Sequence, residues 1–358
     1  MRFHAIFAAL IVSSPALTAA DQPFRTLPSE EFAAGWVSLY DGSTLFGWKV
    51  EGNATVKDGN LIVGMEKPGQ IVPTADFGRD CEYELELRGG RVIGGEREID
   101  LAPTPAQGKS WGKVTIRIEN GQARLSCRDI NSDSHPGKMR PFQLHAEPKN
   151  PMTVHSVKAR VATSKPLFNG KDLTGWKRYT GEAKRELSKF EVTKDGELHL
   201  VNGPGDLQTE ADYRDFCLHC ECRTNGTALN SGLFFRCLPG QYQQGYEAQI
   251  HNGFKDNDRT KPSDFGTGAI YRRIPTRAVV ANDKEWFVLT VLAVGPRLRT
   301  WVNGYPTVDW VDERPVNANG RNGRKLDAGR ISIQGHDATT DILFRNLRIT
   351  TIGDKPSK

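Results

Sequence analysis

The chain repeats itself, and that repeat constrains its fold more than any other feature. LYDGSTLFGW at Leu39–Trp48 returns as LFNGKDLTGW at Leu167–Trp176, and the VKDGNL turn near Asp58 returns as TKDGEL near Asp195. ADFGRDCEYELELR, ending at Arg88, matches ADYRDFCLHCECR, ending at Arg223. Trp111 then aligns with Trp286, Gln143-Leu144-His145 with Gln334-Gly335-His336, and the run Val154–Val161 with Ile342–Thr350. A period this long marks a duplicated domain, not a solenoid of small stacked units. The expected boundary is the TSKP segment at Thr163–Pro166, giving one copy over residues 21–163 and a second over 164–358.

Within each copy the local pattern is that of strands. Helical periodicity is nearly absent, and short alternating runs are punctuated by Gly, Asn and Asp, with 36 glycines in 358 residues. This predicts an all-β protein of packed sandwiches. The 48 basic and 43 acidic residues are interspersed, so no basic stripe marks a nucleic-acid partner. Residues 1–20 read as a secretory signal: Arg2 and His4, the apolar run Ala5–Val12, then small residues before Asp21. That run is too short to span a bilayer, so an exported protein without a membrane span is expected.

The copies differ in one place. Sixty-three positions carry the chain from Arg223 to Trp286, against twenty-three from Arg88 to Trp111. About forty residues unique to the second copy include NSGLFFR and GYEAQIH, two alternating runs expected to be absent from the first. Alternation sets Asn230, Gly232, Phe234 and Arg236 on one face of one run, and Glu247, Gln249 and His251 on one face of the other. A third run ends at Tyr271. An amide, a guanidinium, a carboxylate, an imidazole and a phenol on neighbouring strands suit a sugar site better than a core. The first copy is then left to bind carbohydrate, to pack, or to close one side of the site.

The order of motifs in the second copy, LFNGKDLTGW, KDGEL, NSGLFFR, GYEAQI, GAIY, WVNG and FRNLRI, resembles the 3-keto-disaccharide hydrolase domain family. The resemblance implies two concanavalin A-like jelly-roll β-sandwiches, the first a truncated copy of the second. It also implies an exported enzyme acting on a 3-keto glycoside, with its site on the concave face of the second copy. Glucanases of that fold carry acids along one strand as Glu-x-Asp-x-x-Glu or Glu-x-Asp-x-Glu. Here the strand reads Glu247-Ala-Gln249-Ile-His251, which disfavours hydrolysis by a carboxylate pair.

A ketone at C3 opens another route, because it acidifies the C2 hydrogen. A base removes that hydrogen, the enolate expels the C1 substituent, and water can add to the product. This needs a base, for which Glu247 and His251 are candidates; an enolate stabiliser, Arg236, Asn230 or a metal; and an acid for the leaving group, Tyr271 or His336. Asn230, Gln249, Glu221, Tyr246 and Asp337 are candidate sugar contacts, with Tyr242 and Trp310 as further wall residues and Lys255–Phe265 as a specificity loop or lid. Glu247, His251, Glu221 and His336 offer oxygen and nitrogen ligands to a divalent cation, though no zinc-finger spacing is present. Each candidate also has a structural reading: Glu247 and Arg236 as a cross-strand ion pair, Asn230 and His251 as turn residues, and Gln334–Asp337 as an edge bulge. Recurrence in both copies argues that Trp48, Trp176, Trp111 and Trp286 are core.

On the strand through Cys217, alternation separates Cys217 from Cys220 and Cys222, so these three and Cys237 do not make a four-thiolate site. Free buried thiols, or a bridge from Cys237 to a neighbour, are expected. The rival to an enzyme is a non-catalytic carbohydrate-binding or adhesion module. A third reading is a structural partner for an exported dehydrogenase.

Overall fold

A computed structural model of the chain describes residues 24–94, 97–100, 111–127, 137–138 and 142–353. The expected signal at 1–20 lies outside them. The described residues form two β-sandwiches, each a seven-strand path with one added short strand packed against five strands. In the second copy the larger sheet runs Lys189–Val192, Leu198–Val201, Asp341–Thr351, Phe216–Thr224, Phe287–Val294, Arg297–Val302 and Tyr305–Val311. The smaller runs Trp176–Arg178, Gly205–Thr209, Arg330–Gly335, Ser231–Cys237 and Tyr246–Ile250. The first copy repeats both sheets strand for strand. Cys81–Arg88 stands where Phe216–Thr224 does, and Gln143–Ala146 where Arg330–Gly335 does. Neighbouring strands pair antiparallel throughout, so each sheet presents one apolar inner face to the other, as a jelly-roll sandwich requires.

This topology corrects one expectation. The strand pair thought absent from the first copy is present as Arg91–Gly94 and Arg97–Asp100, in the sheet positions of Ser231–Cys237 and Tyr246–Ile250. The largest single difference is in the connection that follows: eleven residues lead from Asp100 to Gly112, whereas thirty-six lead from Ile250 to Phe287. The longer connection holds the Phe254–Lys255/Asp258–Pro262 hairpin and the turn that carries Tyr271. A sandwich closes without that connection, because it adds no strand to either main sheet.

The two larger sheets treat their outer faces differently. In Cys81–Arg88, Cys81, Tyr83, Leu85 and Leu87 fill the core. Glu82 on the opposite face meets Arg117 at 2.9 Å and Arg160 at 2.7 Å, and Glu84 meets Lys158 at 3.2 Å. In the second copy Leu218, Cys220 and Cys222 face the core, but the outer face carries Cys217, His219, Leu292 and Trp301, all buried. Cys217, Leu292 and Trp301 join the first copy's core cluster. Trp301 lies 5.8 Å from Phe77 ring to ring, and its indole N–H donates to Ser38 O at 2.8 Å. Thr74 Oγ1 donates to Asp309 at 2.7 Å, and Asp41 pairs with Arg277 at 2.9 Å, so polar contacts frame the apolar plug. The repeated tryptophans divide. Trp48 and Trp176 are buried, while Trp111 and Trp286 are half-buried, stacked under Arg88 at 4.9 Å and Arg223 at 5.0 Å. All six cysteines are buried and free, with Cys220 and Cys222 sulfurs 3.5 Å apart.

Trp301 thus belongs to the hydrophobic core of the other copy. Trp301→Ala is expected to cost about 3–5 kcal/mol, the scale of emptying a buried aromatic site. Denaturant unfolding measures it, and a loss below about 1 kcal/mol would show that the copies do not depend on this contact.

Candidate active site

Five residues, Tyr246-Glu-Ala-Gln-Ile250, set up the site by alternation. Tyr246, Ala248 and Ile250 enter the core cluster, which turns Glu247 and Gln249 to the sheet's other face. On the next strand Phe234 is the register partner of Glu247, and Gly232 that of Gln249. A Cβ on Gly232 would stand 2.6 Å from Glu247 Oε1, so the glycine is what leaves room for the carboxyl. Asp206, Gln208, Ser332 and Gln334 extend the same polar face over two more strands, and each is at most 5% exposed. Glu247 is likewise 5% exposed.

Loops close over this face and leave a cleft of about 200 Å³, lined by Glu247, Tyr271, Arg321, Asn230, Tyr242 and His336 among others. A second cleft of about 230 Å³ adjoins it, sharing Glu247, Tyr271, Arg272 and Arg321. Burial pushes the Glu247 carboxyl up to about 8; Asp264 and Asp206 add to the rise, and the Arg321 and Arg272 guanidinium groups oppose it. Arg321 is 3.9 Å from the carboxylate and stacks over Phe234, with 5.7 Å to the ring centroid. Burial also pushes Asp206 up to about 7, although the Gln243 N–H donates to its Oδ2 at 2.9 Å.

The candidates read from sequence separate into two sets. Tyr271 and His336 line the cleft with Glu247; Tyr271 N–H donates to Glu247 O at 2.9 Å, and His336 Nδ1 sits 2.7 Å from Asp337 Oδ2. Asn230 lines it too, and with Gln249 it donates to the Asp264 carboxylate, at 2.6 and 2.9 Å. The Lys255–Phe265 segment is therefore a hairpin whose end is tied to the site. Arg259 pins it by donating to Val279 O at 2.8 Å.

The other set lies outside the cleft that His336 lines, although Tyr246 edges the second cleft. Arg236 is not on the Glu247 face: the register slips between Phe234 and Cys237, Arg236 takes φ +49°, and the alternation breaks. Its guanidinium is wholly buried against Arg214 O, Gly295 O, Lys325 O and Asp215, so the expected ion pair with Glu247 is replaced by one with Asp215 at 2.9 Å. Glu221 belongs to the larger sheet, held by Arg345 Nε at 2.7 Å and Asn346 Nδ2 at 2.5 Å. Tyr246 packs in the core, and its hydroxyl donates to Asp312 at 2.6 Å. Trp310 packs against that core beside it. His251 follows the strand's end and takes the Gly253 N–H at 3.3 Å as part of a turn, away from the residues lining either cleft. Of the four candidate metal ligands only Glu247 and His336 share a cleft, and among the described residues no group of three or more His, Cys, Asp or Glu side chains is placed to hold a metal.

The sequence reading missed Arg321, Arg272, Asp264 and Asp206. The first three sit in loops without periodicity. Asp206 was legible, because Asp-Leu-Gln alternates beside the repeated strand order.

The family model of the 3-keto-alpha-glucoside-1,2-lyase-like domain matches residues 163–350. The chain belongs to this family. The match places the second copy among carbohydrate-related domains and covers the strands that carry Glu247 and Gln334 and the turn that carries Tyr271. No curated protein matches the chain. Similar solved structures include a provisionally assigned glycosyl hydrolase of Parabacteroides distasonis, at 22% identity and TM-score 0.42, covering 53% of this chain and 94% of that one. Another from the same organism has 25% identity and TM-score 0.37, covering 53% and 84%. The β-glucanase of Bacillus licheniformis has 13% identity and TM-score 0.36, covering 52% and 97%.

The raised Glu247 carboxyl has a consequence for stability. Its folded value lies above its ordinary one, so its contribution is present below about 4.5 and is lost as pH rises towards about 8. Glu247→Gln keeps the shape and cannot ionise. The variant is expected to gain thermal stability over the wild type progressively between pH 5 and pH 8. A melting-temperature difference that stays constant over that interval would mean that Glu247 titrates as an ordinary carboxylate.

Proposed function

We propose that the second copy cleaves 3-keto glycosides by β-elimination, with Glu247 as the base. The observation that carries this reading is a carboxyl on the cleft floor, shielded from water and with its proton affinity raised towards neutrality. A base of that kind is matched to a weakly acidic carbon, because its conjugate acid is weak enough to hold the proton it takes. The Glu247 carboxylate removes the C2 hydrogen, and the electron pair forms the enolate of the C3 ketone. Arg321, over the same cleft, is the cation that stabilises the enolate oxygen, taking the role expected of Arg236. Reforming the ketone moves the electrons into a C1–C2 double bond and expels the C1 oxygen. The leaving oxygen needs a proton, and Tyr271 and His336 are the donors lining the cleft. Water adding across the new double bond completes a net hydrolysis.

The family description, a 3-keto-alpha-glucoside-1,2-lyase-like domain, supports the same chemistry. A plain glycosidase would instead use two carboxyls flanking the bond. Here Glu247 shares its strand face with an amide, Gln249, and the other carboxyl of that sheet face, Asp206, is 1% exposed and lines neither cleft.

On a 3-keto-glucoside with a chromogenic aglycone, Glu247→Gln is expected to lower kcat by about 100-fold or more, the scale of losing one positioned base. In the wild type kcat/KM should rise with pH, reach half its limit near pH 8 and level off above it, because the base works deprotonated. The corresponding unoxidised glucoside should be inert. Comparable cleavage of the unoxidised glucoside, or near-native turnover by a folded Glu247→Gln protein, would overturn the assignment. Binding of the sugar without any turnover would favour a carbohydrate-binding module.

A further inference from the structure

The second cleft carries more positive charge than elimination from a neutral sugar needs. Arg272, Arg273 and Arg321 line its walls beside Glu247. Two consecutive residues of a strand would point to opposite faces. Here Arg272 takes φ +58° inside the tight turn that bridges Ile270 to Ile274, and Arg272 and Arg273 line the same cleft. A long, β-carbon-bearing residue in the left-handed region is a local cost that the turn must meet.

Of these charges Arg321 faces Glu247 at 3.9 Å, and the other two lack so close a carboxylate among the described residues. Arg314 nearby is matched by Asp312 at 2.8 Å. Among the described residues, neither Arg272 nor Arg273 forms an ion pair with a carboxylate. The Arg273 guanidinium donates only to main-chain carbonyls, of Arg272 at 3.0 Å and of Arg321. Partial burial lowers the Arg273 pKa and repulsion from Arg314 and Arg321 lowers it further, against the opposing pull of Asp312 and Tyr246. Arg272 lies over the Tyr271 ring at 5.4 Å and Arg321 over Phe234, so two of the three guanidinium groups rest on aromatic faces. Like charges crowded in a cleft raise the free energy of the empty site, and an anion entering it relieves that repulsion. Guanidinium groups held in place suit an anion with two coplanar oxygens.

We infer that this cleft is a subsite for an acidic substituent carried by the leaving group of the substrate, recognised by Arg272 and Arg273. The cleft adjoins the one in which C2 and C1 react, so an aglycone leaving C1 has a path into it. The inference rests on the elimination reading for the position of the sugar. The anion preference itself rests on the three arginines alone.

The test compares three 3-keto-glucosides that differ only at the para position of a phenol aglycone: carboxylate, sulfonate and carboxamide. At low ionic strength kcat/KM is expected to be about tenfold or more higher for either anion than for the neutral amide, the scale of one charge-assisted hydrogen bond. The ratio should shrink as salt is added. The larger of the two anion ratios says whether a carboxylic acid or a sulfate ester is the better fit. In Arg273→Gln and in Arg272→Gln, both at exposed positions, the ratio should fall towards one. Equal kcat/KM for carboxylate and carboxamide, or a ratio unchanged in both variants, would overturn the subsite. If none of the three compounds is cleaved, it is the elimination reading that fails. Calorimetric binding of the unoxidised 4-carboxyphenyl and 4-carboxamidophenyl glucosides then decides the subsite, with tighter binding of the anion expected and equal binding contradicting it.

Discussion

Keeping a carboxyl out of water, with no cation among the described residues closer than 3.9 Å, is the constraint around which the second sandwich is built. An ionised carboxylate in such a place is unfavourable by itself, and the group responds by holding its proton more tightly. The surroundings keep the group dry and in place. Gly232 gives it room, Phe234 covers it from the neighbouring strand, and the loop bearing Tyr271 hydrogen-bonds to its own backbone. Arg321 is near enough to limit the penalty and too far to abolish it. A closer ion pair would stabilise the fold and lower the basicity that the proposed chemistry draws on.

The first copy bears on that site from behind. It buries the outer face of the second copy's larger sheet, where Trp301 crosses into its core. Its Asp41, buried and held low by hydrogen bonds from Thr44 and Ser43 against the effect of burial, anchors Arg277 at 2.9 Å. Arg277 stands a few residues beyond the Tyr271–Arg273 turn and is stacked on Phe46 at 4.1 Å. The matching loop of the second copy has Asn169 in place of Asp41. It makes the same backbone turn, accepting the N–H groups of Lys171 and Asp172, but it is exposed and carries no charge for a partner. Duplication supplied one loop geometry twice, and a single carboxylate converts one of them into a clamp.

Much of this was legible in the sequence. Repeat and alternation together predict two sandwiches, and alternation alone turns Glu247 and Gln249 away from the core. Alternation misled where the backbone leaves the strand path: at Arg236, where a bulge swings the guanidinium to the carbonyls of Arg214, Gly295 and Lys325. It was silent on which sheet a polar face belongs to, and so Glu221 was grouped with residues on the other side of the core. Among the forty extra residues the strand pair stands out, because strands carry the recognisable pattern. The structure puts the largest share into the loop after Ile250, which has no period to read. Arg321 and Arg272 escaped notice for the same reason, since loops bring them to Glu247 and no spacing along the chain foretells it.

The central claim is that cleavage begins at C2, and the fate of the hydrogen there tests it most directly. A 3-keto-glucoside carrying deuterium at C2 is turned over in ordinary water, and the released sugar is weighed at once by mass spectrometry against a no-enzyme control for spontaneous exchange. Elimination requires that the C2–D bond break in every turnover; Glu247 then either exchanges the deuteron with water or returns it when water adds, so label should be lost in at least part of the turnovers and an unlabelled unsaturated sugar should appear in rapidly quenched samples. Release of a sugar that keeps all of its deuterium, with no unsaturated sugar in the quenched samples, would mean that the C1 bond broke without proton removal at C2, and would contradict the role given to Glu247.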